Sequence, residues 1–133
     1  MSRTPHICIA VVDDDESFCR SLARLLRAAR YHPVTYDSAE AFLTDEKQPA
    51  FDCLLLDIAL GGISGLELAS RLNAAGSTTP IIYVTAHDDP TTLEKARATG
   101  CVACVSKVES RDVLLKAIAD ALSLRPPHGG ALS

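Results

Sequence analysis

Residues 7–15 read Ile-Cys-Ile-Ala-Val-Val-Asp-Asp-Asp, so that an apolar run is followed at once by three carboxylates. An uninterrupted apolar run that is rich in β-branched residues is typical of a strand buried on both faces of a sheet. The abrupt change to aspartate marks the point at which such a strand leaves the core. Residues 7–12 are therefore predicted to form a buried strand that ends at a polar edge.

Short apolar runs of the same kind recur along the chain, and segments with helical periodicity separate them. The further predicted strands are 34–36, 53–56, 81–84 and 102–105. The predicted helices follow each strand: the first carries Phe18, Leu22, Leu25 and Leu26 on one face, Ser38 and Ser64 cap the next two, and the last two run over 89–98 and 110–122. This strict alternation predicts an α/β domain whose parallel sheet is covered by helices on both faces.

Composition fits a single, mildly acidic globular domain. The chain has 133 residues, 47% of them hydrophobic, and a formal net charge of −4. No apolar run approaches the roughly 20 residues of a membrane helix, and residues 1–6 do not resemble a signal peptide. The acidic balance argues against a direct nucleic-acid role. We expect a domain over residues 1–124 and a flexible tail or linker stub over 125–133, where the chain becomes rich in Pro and Gly.

The cysteine content indicates a reduced, cytoplasmic protein. The five cysteines are an odd number, and most lie in apolar stretches, where a free thiol behaves as a small apolar side chain. Cys101 and Cys104 form a CxxC pair, but without a second pair or a nearby histidine the pair cannot fill a tetrahedral zinc site. We interpret both cysteines as packing residues.

Polar side chains follow the predicted strands at their carboxyl ends. Asp13 and Asp14 follow the first strand, Asp57 the third, Thr85 the fourth and Lys107 the fifth. In a parallel sheet these ends share one edge, which is where ligands bind. Two carboxylates about 4 Å apart repel by about 4 kcal/mol at an effective dielectric constant near 20, so the aspartates need a cation. Carboxylate oxygens without histidine or thiolate favour Mg²⁺, and a metal beside an ammonium suits a phosphoryl group.

Five motifs stand in order at these strand ends: Val11-Val12-Asp13-Asp14, Leu55-Leu56-Asp57, Gly65, Val84-Thr85-Ala86 and Ser106-Lys107. In this order and spacing they resemble the receiver domain of two-component response regulators, the CheY-like family. The similarity runs from about residue 7 to about residue 122. It implies a flavodoxin-like, doubly wound fold with five helices and a five-stranded parallel sheet of order 2-1-3-4-5.

The resemblance also implies a role for each residue of the predicted site. Asp57 would be the phosphorylation site and would take its phosphoryl group from a phosphohistidine in a Mg²⁺-dependent reaction. Asp14 and Asp57 would bind the metal directly, Ala59 through its backbone carbonyl, and Asp13 through water. The residues implied to bind the phosphoryl group and take part in switching are Thr85, Lys107 and Ala86.

Two departures from the family pattern lie near the fifth strand. The family usually has proline after the lysine, in a cis peptide, whereas this chain has Val108. A cis bond before a non-proline residue costs about 2.5–4 kcal/mol, so we expect a trans link here. An aromatic residue usually lies three residues before the lysine, whereas this chain has Cys104. We therefore do not expect the usual coupling between Thr85 and an aromatic switch. Asp15 fits no site role and is predicted to cap the first helix.

The function implied by the resemblance is signalling rather than metabolic catalysis. The domain would catalyse its own phosphorylation and a slow dephosphorylation, and phosphorylation would switch its conformation. The implied partners are a sensor histidine kinase or phosphotransfer protein and a downstream protein or fused output domain. A homodimer is left open, and neither nucleic acid nor membrane is expected to bind this domain directly.

Two alternatives remain at this stage. One is a binding module that keeps the fold but works independently of phosphorylation. The other is a haloacid-dehalogenase-like phosphatase with Asp13 as its nucleophile, because residues 13–17 are close to the DxDx[TV] motif of that class. Against the phosphatase, no paired acidic metal ligands follow Lys107, and Asp57 would have no role.

Overall fold

The computed structural model describes residues 7–86 and 89–124. The predicted tail or linker stub, 125–133, lies outside the described residues. Strands and helices alternate through the described part of the chain: β1 Cys8–Val12, α1 Glu16–Ala28, β2 His32–Tyr36, α2 Ala39–Thr44, β3 Cys53–Leu56, α3 Gly65–Ala74, β4 Ile81–Thr85, α4 Pro90–Ala98, β5 Ala103–Ser106 and α5 Arg111–Leu124.

The strands form one parallel sheet in the order β2-β1-β3-β4-β5, which confirms the predicted fold and strand order. β1 pairs with β2 on one side and with β3 on the other. The chain therefore winds outward from β1 in one direction and then in the other, which places helices on both faces. The carboxyl ends of β1 and β3 lie side by side at this reversal. No described helix is both long enough and apolar enough to cross a membrane.

Each face of the sheet has its own buried core because successive side chains of a strand point to opposite faces. On one face Val12 and Tyr83 pack with Leu68 of α3 and Ala96 of α4. On the other face α1 and α5 cover the sheet, and their residues Leu26 and Ile118 are both 0% exposed. The uninterrupted apolar runs of the inner strands follow from the helices on both faces of the sheet, since every residue of β3 and of β4 is buried.

The predicted caps occur at the helix starts. The side chains of Asp15, Ser38 and Ser64 each accept a hydrogen bond from a backbone N–H of the first turn, at the starts of α1, α2 and α3. Asp89 caps α4 in the same way, and Pro90 occupies the first helical position. The role predicted for Asp15 is therefore confirmed.

Gly65, the first residue of α3, lies against the backbone that follows β3. A Cβ atom built on Gly65 would lie 2.9 Å from the carbonyl carbon of Asp57 and 3.1 Å from Cα of Ile58, and still closer to the Asp57 carbonyl oxygen. The Gly65 N–H also donates a hydrogen bond to the Ile58 carbonyl at 3.1 Å. The absence of a side chain at Gly65 thus allows α3 to approach the segment that carries Asp57.

We expect Gly65→Ala to lower the free energy of unfolding by about 1–3 kcal/mol, because the added methyl group must displace backbone. Urea denaturation measures this loss. Gly61→Ala is the matched control: a Cβ at Gly61 meets no atom within 4 Å, so its effect should stay within about 0.5 kcal/mol. Equal losses in the two variants would show that the close approach of α3 is not what requires glycine.

Candidate functional site

The candidate site lies at the carboxyl edge of the sheet, where the strands deliver its side chains. Asp13 and Asp57 directly follow β1 and β3, Thr85 ends β4, and Lys107 follows β5. Sheet hydrogen bonds continue into the site, since the Asp57 N–H donates to the Val12 carbonyl at 3.0 Å. The backbone of the two aspartates is therefore held by the sheet and not by a free loop.

Lys107 joins the two buried aspartates. Its Nζ lies 2.8 Å from Oδ2 of Asp13 and 3.2 Å from Oδ2 of Asp57. The exposed side-chain fractions are 16% for Lys107, 2% for Asp13 and 7% for Asp57, so water screens these ion pairs weakly. Burial lowers the pKa of Lys107, but the hydrogen bond and charge of Asp13, together with Asp57, outweigh it and leave that pKa raised. The ammonium is therefore held in its charged form.

The carboxylates also accept backbone hydrogen bonds. Oδ1 of Asp13 accepts from the N–H of Asp15 at 2.9 Å, and Oδ1 of Asp57 accepts from the N–H of Ala59 at 3.1 Å. Burial raises the pKa of Asp13, an effect only partly offset by its hydrogen bond to Lys107. Among the described residues, each of the four oxygens of Asp13 and Asp57 thus has one partner, either Lys107 or a backbone N–H. Since a carboxylate oxygen has two acceptor positions, this leaves one position on each for a further ligand.

Asp13, Asp14 and Asp57 together form a donor set that fits a hard divalent cation. One carboxylate oxygen from each lies within 4.8 Å of the others, and Asp14 is exposed to solvent while the other two are buried. Ligands at about 2.1 Å around an octahedral Mg²⁺ lie about 3 to about 4 Å apart, which this spacing accommodates. The absence of thiolate and imidazole from this set favours Mg²⁺ over zinc.

The remaining predicted site residues lie beside this cluster. Thr85 is 3% exposed, and its carbonyl accepts a hydrogen bond from the Lys107 N–H at 2.9 Å. Ala86 follows at the exposed edge. Ala59 is exposed, and its N–H already binds Asp57. The structure thus brings these residues together, while their roles toward a metal or a phosphoryl group stay predictions.

Two residues of the first turns of α1 contact the site and were not predicted to do so. Nζ of Lys107 lies 4.6 Å from the centre of the Phe18 ring, within the range of a cation–π interaction. The Cys19 thiol donates to the carbonyl oxygen of Asp13 at 3.2 Å. Their position in the sequence could have identified them. The helix α1 starts directly after the aspartates, so its first turns must lie beside the site.

The loop after Lys107 closes on itself without proline. The described residues contain no cis peptide bond, which confirms the trans link expected before Val108. The N–H of Val108 donates to Oγ of Ser106, and the N–H of Ser106 donates to a carboxylate oxygen of Glu109. Val108 itself is 91% exposed. Short polar contacts therefore shape this loop where the family usually has a proline ring.

Glu40 of α2 holds the loop between β3 and α3, a contact that the sequence did not indicate. Its Oε2 accepts a hydrogen bond from the N–H of Ile63 at 3.0 Å. This hydrogen bond is the main reason why the pKa of Glu40 is lowered. The loop that follows Asp57 is therefore tied to a neighbouring helix.

The comparisons with known proteins agree with this geometry. The family model described as response regulator receiver domain matches residues 9–119. TmoT, a response regulator protein of Ectopseudomonas mendocina, is 36% identical over 118 residues, which are 89% of this chain and 54% of TmoT. The transcriptional regulatory protein FixJ of Bradyrhizobium diazoefficiens is 33% identical over 119 residues, which are 90% of this chain and 58% of FixJ.

A solved structure shares the fold along almost the whole chain. The crystal structure of FixJ-N superposes with a TM-score of 0.82 and 28% sequence identity, and the match covers 92% of this chain and 98% of that one. The chain spans about half the length of the two curated relatives above.

The first prediction from this site concerns metal affinity. Asp57→Asn removes one negative charge from the donor set, so we expect Mg²⁺ to bind about tenfold more weakly, a loss of about 1.4 kcal/mol. Calorimetric titration with Mg²⁺ measures the change. Asp120→Asn is the control, because Asp120 is exposed on α5 and pairs with Lys116. An unchanged affinity in Asp57→Asn would remove Asp57 from the metal site.

The second prediction concerns pH and the Glu40 contact. A carboxyl group whose pKa is lowered by folding stabilises the fold above its unfolded pKa, and this contribution is lost as pH falls through the folded pKa. The free energy of unfolding of the wild type should therefore exceed that of Glu40→Gln at neutral pH. The difference should shrink as pH falls below the ordinary carboxyl value of 4.5. Urea denaturation across this range tests it, and parallel curves would contradict it.

Proposed function

This chain belongs to the response regulator receiver domain family, and on that premise we propose that Asp57 is its phosphoryl acceptor. Receiver domains are signalling domains rather than metabolic enzymes. In this proposal Asp57 takes a phosphoryl group from a phosphohistidine in a Mg²⁺-dependent reaction. The modified aspartate then favours one of two conformations of the domain, and a partner or output domain detects the change.

The observation that carries the proposal is the position of Lys107 across two buried carboxylates. A nucleophilic carboxylate must meet a phosphoryl group that is itself negative, so positive charge has to be fixed beside it. The Nζ of Lys107 is held 3.2 Å from Asp57 by a second contact, at 2.8 Å, to Asp13. The cation is therefore in place before any donor arrives.

The proposed transfer uses one carboxylate oxygen of Asp57. This oxygen attacks phosphorus and forms the O–P bond, while the P–N bond of the phosphohistidine breaks and its electron pair stays on the imidazole nitrogen, which takes up a proton from solvent. The phosphoryl oxygens bring their negative charge to Asp57, and Lys107 can pair with them because it keeps Asp13 as a second partner. Thr85, which is buried at the end of the adjacent strand, would donate its hydroxyl to one of these oxygens.

The donor set of Asp13, Asp14 and Asp57, with the Ala59 carbonyl, would hold the metal. Mg²⁺ when bound neutralises the charge of the phosphoryl oxygens and aligns them for transfer. Asp14 supports this assignment because it is exposed, which leaves a path from solvent to the buried oxygens of its neighbours.

The partners are proposed by class. The donor is a sensor histidine kinase or a phosphotransfer protein, and the recipient of the signal is a downstream protein or a fused output domain. We also propose a cytoplasmic location, which agrees with the fact that none of the cysteines forms a disulfide. Nothing in the comparisons favours the phosphatase alternative.

Phosphorylation is tested with acetyl phosphate and Mg²⁺. We expect the wild type and Asp120→Asn to be labelled, and Asp57→Asn to remain unlabelled, because Asp57 is the proposed acceptor and lies beside Lys107 and the metal ligands. Hydride reduction of the acyl phosphate followed by peptide mapping locates the label. Label in Asp57→Asn, or label at Asp13 in the wild type, would contradict the proposal.

A second readout separates a receiver from a phosphorylation-independent binding module. Beryllofluoride with Mg²⁺ mimics a phosphoryl group on an aspartate, so it should change the amide chemical shifts around Thr85 and β5. Unchanged shifts, together with absent labelling by acetyl phosphate, would favour the binding module.

A further inference from the structure

Two cysteine side chains lie together at the β5 edge of the sheet, apart from the acidic cluster. The Sγ atoms of Cys101 and Cys104 are 3.9 Å apart. Cys101 lies in the connection between α4 and β5, and Cys104 lies within β5. Both side chains are partly exposed, and neither is in a disulfide. The pair is therefore close enough to react and open enough for a small reagent to reach.

The backbone explains why residues three apart can meet. Gly100 follows α4 with φ of +82°, and the chain bends at Val102 before β5 begins. The N–H of Val102 donates to the Ile81 carbonyl at 2.8 Å, which fixes this bend to the adjacent strand β4. The bend brings the Cys101 side chain alongside that of Cys104, which an extended chain would not do.

The geometry suits a disulfide better than a metal. A disulfide needs an S–S distance of about 2.0 Å, so the two sulfurs must approach by about 1.9 Å from their present separation of 3.9 Å. Tetrahedral zinc needs four ligands. Among the residues that the structure describes, no third histidine, cysteine or carboxylate joins this pair in a possible metal site.

We propose that Cys101 and Cys104 form a reversible intramolecular disulfide by exchange with a low-molecular-weight disulfide such as glutathione disulfide. One cysteine thiolate attacks a sulfur of glutathione disulfide, which forms a mixed disulfide and releases one glutathione thiolate. The second cysteine thiolate attacks the protein sulfur of the mixed disulfide and releases a second glutathione. The two cysteines lose two electrons and two protons, and glutathione disulfide takes them up as two glutathione molecules.

The surroundings keep this reaction slow at neutral pH. Burial, followed by the neighbouring Cys104, raises the pKa of Cys101 to about 11. Since the thiolate is the nucleophile, Cys101 attacks slowly at neutral pH, and the exchange needs a sustained excess of an oxidising disulfide. The pair therefore stays reduced unless an oxidising disulfide remains in excess for a sustained time.

The location links the pair to α4 and to the strand that carries Thr85. Cys104 is the register partner of Tyr83 in β4, and the Tyr83 hydroxyl lies 2.9 Å from Oγ1 of Thr99 at the end of α4. Thr85 is two residues further along the same strand. A disulfide would join β5 covalently to the segment that follows α4. Its effect on switching rests on the proposed function, whereas its formation does not involve Asp57.

The test treats the whole chain with a glutathione redox buffer, alkylates the remaining thiols and measures the intact mass. We expect the number of thiols available after denaturation to fall from five to three, with peptide mapping that joins Cys101 to Cys104. Dithiothreitol should restore all five. A wild type that gains only glutathione adducts, or that links either cysteine to Cys8, Cys19 or Cys53, would overturn the proposal.

Variants separate the pair from single thiols and from the phosphoryl site. In Cys101→Ser and in Cys104→Ser the remaining cysteine should take up glutathione without losing a second thiol. Cys8→Ser and Asp57→Asn should still form the disulfide. If Asp57→Asn forms the disulfide but the wild type is not labelled by acetyl phosphate, the proposed function fails and the redox site stands.

Hydrogen exchange tests the structural consequence. In the oxidised protein the amides of β5 and of the carboxyl end of α4 should exchange more slowly than in the reduced protein, because the new bond restricts their opening. The far edge strand β2 serves as the internal control and should be unchanged. Equal exchange in both forms at β5 and α4 would overturn the link to α4.

Discussion

The ion pairs of Lys107 with Asp13 and Asp57 are the interaction on which the site depends. Two carboxylates about 4 Å apart repel by about 4 kcal/mol at an effective dielectric constant near 20. Removal of the Lys107 ammonium would therefore leave uncompensated negative charge on two buried side chains. β4 separates β5 from β3, so Lys107 must reach across the end of the strand that carries Thr85. A long side chain beside the Phe18 ring makes this reach feasible. The order of the strands therefore determines which side chains can meet in the site.

The sequence was sufficient to predict that the residues at the strand ends meet, because a parallel sheet brings all carboxyl ends to one edge. It predicted the first residues of the edge strands less accurately. β2 begins at His32, before the predicted start at residue 34, because an edge strand tolerates Pro33 where its missing N–H faces no neighbour. β5 begins one residue later than predicted, at Ala103, because the chain first bends at Val102. The contacts of Phe18 and Glu40 depend on helix placement and loop course, which no local pattern encodes.

The position of Cys104, where the family usually has an aromatic residue, changes the character of this edge. The aromatic side chain here is its strand neighbour Tyr83, which is 0% exposed and hydrogen-bonded to Thr99. A buried and anchored ring is not free to change rotamer as an exposed one is. What this edge offers to solvent instead is a pair of thiols. The side chains at this edge therefore differ in chemistry from the aromatic residue that the family usually has.

The acidic site draws its parts from residues far apart in the chain, and this affects the protein while it is being synthesised. Asp13 and Asp57 leave the ribosome well before Lys107, which follows the last strand. A nascent chain therefore holds the carboxylates without the cation that balances them and without the completed sheet edge. An unfinished domain therefore lacks a charge-balanced site. Translation must pass β5 before the protein can take part in signalling.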